Sequence, residues 1–457
     1  MQPLSFLAGR AAAAQTMRYI LESSKELEEA LSSPDPRSLL IPDMSFYRNP
    51  SIATIPSTIQ MHSGEEASLD FVKVVTRPRV TSQIFARVQR SFEQQQQTTT
   101  GVTVGVLRSG TSNCMAPGMM LRGCKGIGKS FIMILTAMQL LIRNNRQTRV
   151  VFVGNCNEWS RCSTNAHRKL FLAEAIAQAF VDSTEVLDII DRWQRQVIAE
   201  PASHWPTDVV SLLGEIRAYC RREDLNVAFL FDRVDSLATP GTSSSEIQQY
   251  LRFIKRQPPF TILLAASDDQ KAADISQSLG TADLSVEPRF TSDEAVLLVR
   301  SHCVGRDMEI WQIKELINRT WRHPGQISRI CKQMGAMFVG CARDYCVGDI
   351  YAAILELSDQ PVVDFEPKPF SSYLTGSLGH TYAETIGQSV LDVLRMSSTF
   401  SWPADTNYMS IVESPSIFPC PQIARGVIEL CCRPSDVDQS VDRHLSQMQM
   451  VVYQALT

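Results

Sequence analysis

Apolar and polar positions change rhythm several times along this chain. Thr16 to Leu31 reads as a first helix, and the Pro-, Ser- and Met-rich stretch from Ser32 to Ser68, with little periodicity, predicts an irregular arm. Ser82 to Gln97 reads as another helix, closed by the polar run Gln94 to Thr100 and then Gly101, where a domain boundary fits. From about residue 115 short apolar runs alternate with helical stretches, as in a parallel sheet covered by helices. Met119 to Arg122 is expected as a strand, Ser130 to Arg143 as a helix and Arg149 to Val153 as the next strand, which together make one βαβ unit. Helical patterns follow over Arg168 to Val181, Glu185 to Ile198 and Asp208 to Arg221, and strands over Asn226 to Phe231 and Phe260 to Ala265. After Phe290 the strand pattern stops, and Ser292 to Cys303, Met308 to Thr320 and Pro324 to Phe338 predict a helical lid. No internal repeat recurs at a period of about 20 to 50 residues, which argues against solenoids and propellers.

The first expected βα junction reads Gly123-Cys124-Lys125-Gly126-Ile127-Gly128-Lys129-Ser130 and matches the phosphate-binding pattern GxxxxGK[ST]. Each position has a separate task. Gly123, Gly126 and Gly128 let the backbone around Ile127 curl its amides toward phosphate oxygens, Lys129 supplies positive charge, and the Ser130 hydroxyl is suited to Mg²⁺. The helix from Ser130 would aim its positive end at the same anion. Such a loop needs a carboxylate behind the metal at the end of a neighbouring strand, and Asp232, closing Asn226 to Phe231, is the candidate. Arg233 follows Asp232 where many ATPases have a water-polarising glutamate, so Asp235 is the next acid available as a base, and slow hydrolysis is expected. Ser267 and Asp268-Asp269 follow Phe260 to Ala265 where a polar sensor of the γ-phosphate would sit, or where a capped loop would. Arg289 is a candidate for stabilising transition-state charge or an ordinary surface arginine, and His323-Pro324-Gly325 stands where a lid helix would begin.

These patterns predict an α/β protein: a P-loop NTPase core with a parallel sheet covered by helices, then a helical lid and a C-terminal region of unknown fold. The expected division is 1–100 for an N-terminal helical and irregular arm, 101–290 for the core, 291–360 for the lid and 361–457 for the C-terminal region. With 457 residues, 44% of them hydrophobic, the chain can bury a sizeable core. A formal charge of -4 does not indicate nucleic acid as a partner, leaving nucleotide, and a protein partner or self-association, as the open classes. No apolar run reaches the ~18 residues of a membrane span. Twelve cysteines without a CxxC pair or framework spacing suit reduced thiols and an intracellular setting, and the adjacent Cys431 and Cys432 receive no role. The first 21 residues carry Arg10 and Arg18 but no acid, a pattern shared by mitochondrial presequences and ordinary helices. Arg10 breaks the apolar run that a secretory signal would need, although sequence alone leaves secretion into a host open.

The loop, the strand Arg149 to Val153 running through Gly154-Asn155-Cys156-Asn157-Glu158 into Trp159, and Phe231-Asp232 together resemble the P-loop domain of Crinkler and retrotransposon hot spot type proteins over roughly residues 115 to 340. That resemblance implies an AAA-like or STAND-like ATPase domain using ATP and Mg²⁺, often joined to a separate effector or nuclease module. The chain departs from the family in lacking a ubiquitin-like header and a nuclease pattern. Asp364, Glu366 and Lys368 have one-face strand spacing, but Pro367 and Pro369 argue for an extended linker. The same run from P-loop to tryptophan also resembles the death-associated, mitochondrial small-subunit ribosomal GTP-binding protein. Three functions are thus expected in order: a Mg-dependent, slowly hydrolysing ATPase module, a ribosomal GTP-binding protein, and a nucleotide-binding scaffold without hydrolysis.

Overall fold

The computed structural model describes residues 10, 14–15, 18–20, 22–42, 71–99, 118–123, 126–143, 147–162, 164–199, 207–238, 242–267, 269–287, 289–339 and 346–359. The expected C-terminal region, with Asp364, Glu366, Lys368 and the Cys431-Cys432 pair, lies outside them, as do Cys124, Lys125 and Asp268. The chain divides into two compact units. One takes in residues 1–122, 129–267 and 272–285, and the other 123–128, 268–271 and 286–457.

The first unit is built on a five-stranded parallel sheet in the order β4-β5-β6-β3-β7. Its strands are β3 (Met119–Arg122), β4 (Thr148–Val153), β5 (Asn226–Phe231), β6 (Phe260–Ala265) and β7 (Ala282–Ser285). β4 and β6 are buried along their whole length, which is why their sequences run apolar without alternation: helices cover both faces and leave no polar side. The covering helices are α3 (Lys129–Arg143), α5 (Asn165–Ala179), α6 (Thr184–Ala199), α7 (Thr207–Arg222), α8 (Thr242–Lys255) and α9 (Asp269–Leu279), with the short α4 (Cys156–Arg161) after β4. The sheet order inserts β6 between β3, which leads toward the glycine loop, and β5, which leads to Asp232. In such sheets ligands bind beyond the carboxyl ends of the strands, where the winding changes direction.

Trp159 explains the polar turn after β4. Its ring is fully buried, stacked between Phe171 (6.1 Å) and Phe231 (5.9 Å) and edge-on to Tyr250 (5.9 Å). Its indole N–H donates to the Arg168 carbonyl at 3.0 Å, so burial leaves no polar group unsatisfied on the ring. Anchored in this way, the turn Gly154–Glu158 runs beside the end of β5, and the Cys156 amide donates to the Asp232 carbonyl at 3.0 Å.

The helices expected near Thr16 to Leu31 and over Ser82 to Gln97 are present among the described N-terminal residues, and within the stretch expected to be irregular Ser38–Pro42 is a strand. α1 (Ser24–Ser32) is followed by an antiparallel pair, β1 (Ser38–Pro42) with β2 (Phe71–Val75), and then α2 (Pro78–Thr99). They belong to the first unit: Gln139 of α3 donates to the Leu31 carbonyl at 3.3 Å, and the buried hydroxyls of Ser91 and Thr261 meet at 2.9 Å. Arg10 reaches Glu174 of α5 at 3.4 Å and Asp191 of α6 at 3.1 Å. Burial pushes the Glu174 carboxyl up to about 8, against the opposing pull of Arg10. β7 was also not expected. It is a four-residue edge strand in which only Leu284 is buried, too short and too polar to carry a strand signal.

Among the described residues the second unit is helical from Ser292 onward, with α10 (Ser292–Ser301), α11 (Cys303–Asp307), α12 (Ile310–Arg319), α13 (Pro324–Val339) and α14 (Val347–Asp359). The expected lid helices correspond to α10, α12 and α13, while α11 and α14 are additional. A capping box between Thr291 and Glu294 starts α10, and Glu309 with Gln312 does the same for α12. Among the described residues no helix is long and apolar enough to cross a membrane.

Candidate functional site

The glycine loop uses backbone angles that only glycine adopts without strain. Gly123, Gly126 and Gly128 have φ of 134°, 87° and 89°. A Cβ on Gly123 would stand 2.5 Å from the Ile127 side chain, which is fully buried and pins the middle of the loop. A Cβ on Gly128 would meet nothing within 4 Å, so the backbone there has open space beside it for a ligand group to approach. In the same unit the loop touches the start of α13. Added at Gly126, a Cβ would lie 3.0 Å from His323 Cε1 and 3.5 Å from the Gly325 Cα.

In the first unit, Lys129 and Ser130 form the first turn of α3. Lys129 is 6% exposed, and its ammonium donates to the Ser267 carbonyl at 3.5 Å. That is the long limit of a hydrogen bond, and ammonium contacts to charged acceptors such as phosphate are shorter and stronger. The Ser267 amide donates to both oxygens of Asp235, at 2.9 and 3.1 Å, and its hydroxyl to Asp235 Oδ1 at 2.8 Å. Asp235 is itself buried, in the 3-10 turn Val234–Ala238 that follows β5. Lys129, Ser267 and Asp235 thus form one chain of contacts linking the starts of α3 and this turn through the end of β6.

Asp232 is 4% exposed at the end of β5. Its amide pairs with the Val153 carbonyl at 2.8 Å, and its Oδ1 accepts from the Arg233 amide at 2.9 Å. Arg233 is a non-glycine residue in the left-handed region, φ 55°, a conformation that costs about 1–3 kcal/mol and turns the chain sharply after the carboxylate. The turn after β4 runs alongside, with Asn157 Oδ1 accepting the Ser236 amide at 3.1 Å and Asn155 donating to Glu158 at 2.8 Å. The Cys156 thiol is pushed well up by burial first, and then by the nearby negative charges of Asp232 and Asp235, so it is an unreactive thiol beside the acids.

Other residues singled out from sequence fall into place separately. Asp269 opens α9. In the second unit the Arg289 guanidinium lies over the Trp321 ring, 5.2 Å from its centre. His323 caps α13, with Nδ1 accepting the Gln326 amide at 3.3 Å. The contacts between Ser267 and Asp235 and between His323 and Gly126 lacked a local signal in the sequence, because each joins residues of different elements.

No protein-family model matches the chain, and no curated protein matches it significantly. Among solved structures it is similar to a Walker-type ATPase of Pyrococcus abyssi at 13% identity, over 80% of this chain and 94% of that one, with a TM-score of 0.38. The ORC2 protein of Aeropyrum pernix, in ADPNP and ADP complexes, is similar at 12% identity over 81% and 94%, TM-score 0.38. Cdc6p from Pyrobaculum aerophilum is similar at 13% over 81% and 93%, TM-score 0.28. Likeness at this level carries nothing about what the present chain binds or does. The glycine loop at the end of β3 and the parallel sheet that presents Asp232 two strands away give the chain the α/β fold of a P-loop NTPase.

Proposed function

We propose that this chain binds Mg·ATP and hydrolyses it slowly. In this reading the amides of Gly123, Gly126, Ile127 and Gly128 and the Lys129 ammonium grip the phosphates, Ser130 holds Mg²⁺, and Asp232 stands behind the metal. Mg²⁺ of this kind keeps several waters and needs only one or two protein oxygens beside the phosphates. The Ser130 hydroxyl in the first turn of α3 and the buried Asp232 carboxylate at the end of β5 are two such oxygens. The observation that carries the reading is the contact chain Lys129–Ser267–Asp235 beside the buried Asp232, beyond the carboxyl ends of β5 and β6, where such sheets bind their ligands.

Asp235 is the nearest acid after Asp232 for activating water, yet its carboxylate already takes three contacts from Ser267. Its engagement supports a role in fixing Ser267 near the γ-phosphate, with turnover slow for want of a dedicated base. The same feature favours the second reading, a scaffold that binds nucleotide without hydrolysis. The finer assignments, a Crinkler-type module or a ribosomal GTP-binding protein, rest on the turn into Trp159, and base preference separates them. Equilibrium binding of ATP and GTP with Mg²⁺ to the wild type and to Lys129→Ala, followed by phosphate release from the same samples, tests all of these. ATP binding lost in the variant, with slow release by the wild type, is expected. GTP preference favours the ribosomal reading, and binding without release the scaffold.

A further inference from the structure

The phosphate loop meets a buried ring. His323 is 1% exposed, and a Cβ on Gly126 would lie 3.0 Å from its Cε1 and 3.8 Å from its Nε2. Gly325 completes the contact: a Cβ there would stand 3.0 Å from both the Cα and the carbonyl oxygen of Gly126. The chain takes an unusual path to bring these residues there. Trp321 and Arg322, consecutive non-glycine residues, both have left-handed backbones, φ 49° and 61°, a conformation costing about 1–3 kcal/mol per residue. The turn is held by the Phe290 amide donating to the Arg322 carbonyl at 3.0 Å and by Arg289 stacked on Trp321.

We propose that His323 is a positioning residue for the phosphate loop, holding Gly126 in its bound conformation before nucleotide arrives. The inference rests on the P-loop reading above. A loop of glycines has the greatest backbone freedom of any sequence, and binding must pay for ordering it. A rigid ring against the Gly126 Cα removes part of that freedom in advance, so the loop amides need less rearrangement to meet phosphate. His323 is suited to both of its tasks at once. Its Nδ1 edge caps α13 through the Gln326 amide, while the Cε1–Nε2 edge faces Gly126.

The two tasks are separable by substitution. His323→Asn keeps an oxygen able to accept the Gln326 amide, and Asn is a good N-cap, but it removes the outer edge of the ring. In the full chain, Mg·ATP affinity is expected to fall about tenfold in His323→Asn while the melting temperature stays within about 2 °C of wild type. Where hydrolysis is measurable, KM is expected to rise with kcat unchanged, because the lost interaction acts on ground and transition states alike. Gly325→Ala, which pushes a methyl into Gly126, is expected to weaken binding similarly. Wild-type affinity in both variants, with Lys129→Ala defective, overturns the role of His323 and leaves the P-loop reading standing. A wild-type chain that binds no nucleotide, or a Lys129→Ala chain that binds normally, overturns that reading and the inference with it.

Discussion

The acidic strand ends and the glycine loop are held in place by different forces. Asp232 and Asp235, both buried, and the exposed Ser267 are fixed by hydrogen bonds, each with a defined donor and acceptor. Gly123, Gly126 and Gly128 are fixed by shape, through positive φ, the plug of Ile127 and close contact with His323 and Gly325. Buried carboxylates are costly unless paired, so the strand ends tolerate little chemical change. The glycines have no side chains to pair, and at Gly123 and Gly126 the loop tolerates little change of volume. On this account, substitutions at the strand ends act mainly on turnover and stability, and substitutions behind the loop act mainly on affinity.

The largest expected effect is at the charge that follows the loop. Lys129→Ala should reduce Mg·ATP affinity by about 100-fold or more, read by calorimetry, because it removes the side-chain cation that the motif aims at the phosphates. Asp232→Asn should retain nucleotide binding and lose metal-dependent phosphate release; unchanged release at saturating Mg²⁺ would remove Asp232 from the metal site. Ser267→Ala and Asp235→Asn should each slow release by about tenfold and cost about 1–2 kcal/mol of stability. The double variant should be little worse than either single one, since both act on one contact. Additive losses in urea titrations would show that the two residues act independently.

A smaller effect is expected away from the site, at Glu174. Its folded pKa, about 8, lies above the ordinary carboxylate range, so the folded state holds a proton that the unfolded chain has released. The stability this provides is complete below the ordinary range and is lost as pH rises through about 8. Glu174→Gln should therefore match wild type near pH 5 and be the more stable of the two near pH 9. Parallel stability curves for the two proteins would contradict the assignment.

Much of the sheet could be read directly from sequence because its strands are buried on both faces and written in continuous apolar runs. The expected strands at Met119, Asn226 and Phe260 coincide with β3, β5 and β6, and β4 starts one residue early. The glycine spacing marks the loop for the same local reason. Features made by partners far apart in sequence were not legible. β1 and β2 are separated by residues 43–70, so neither signals the other, and β7 presents only Leu284 to the core. Asp235 was visible as an acid, but its commitment to Ser267 required the pairing of β5 with β6 to be known. His323 was visible as a helix start, and its contact with Gly126 emerged only from the folded second unit.

The most direct test of the account is calorimetric titration of Mg·ATP into the wild-type chain and Lys129→Ala at matched salt. Saturable one-to-one binding by the wild type that disappears in the variant is predicted. Absence of binding to the wild type, or equal binding by both, would contradict the assignment of this loop as a nucleotide site.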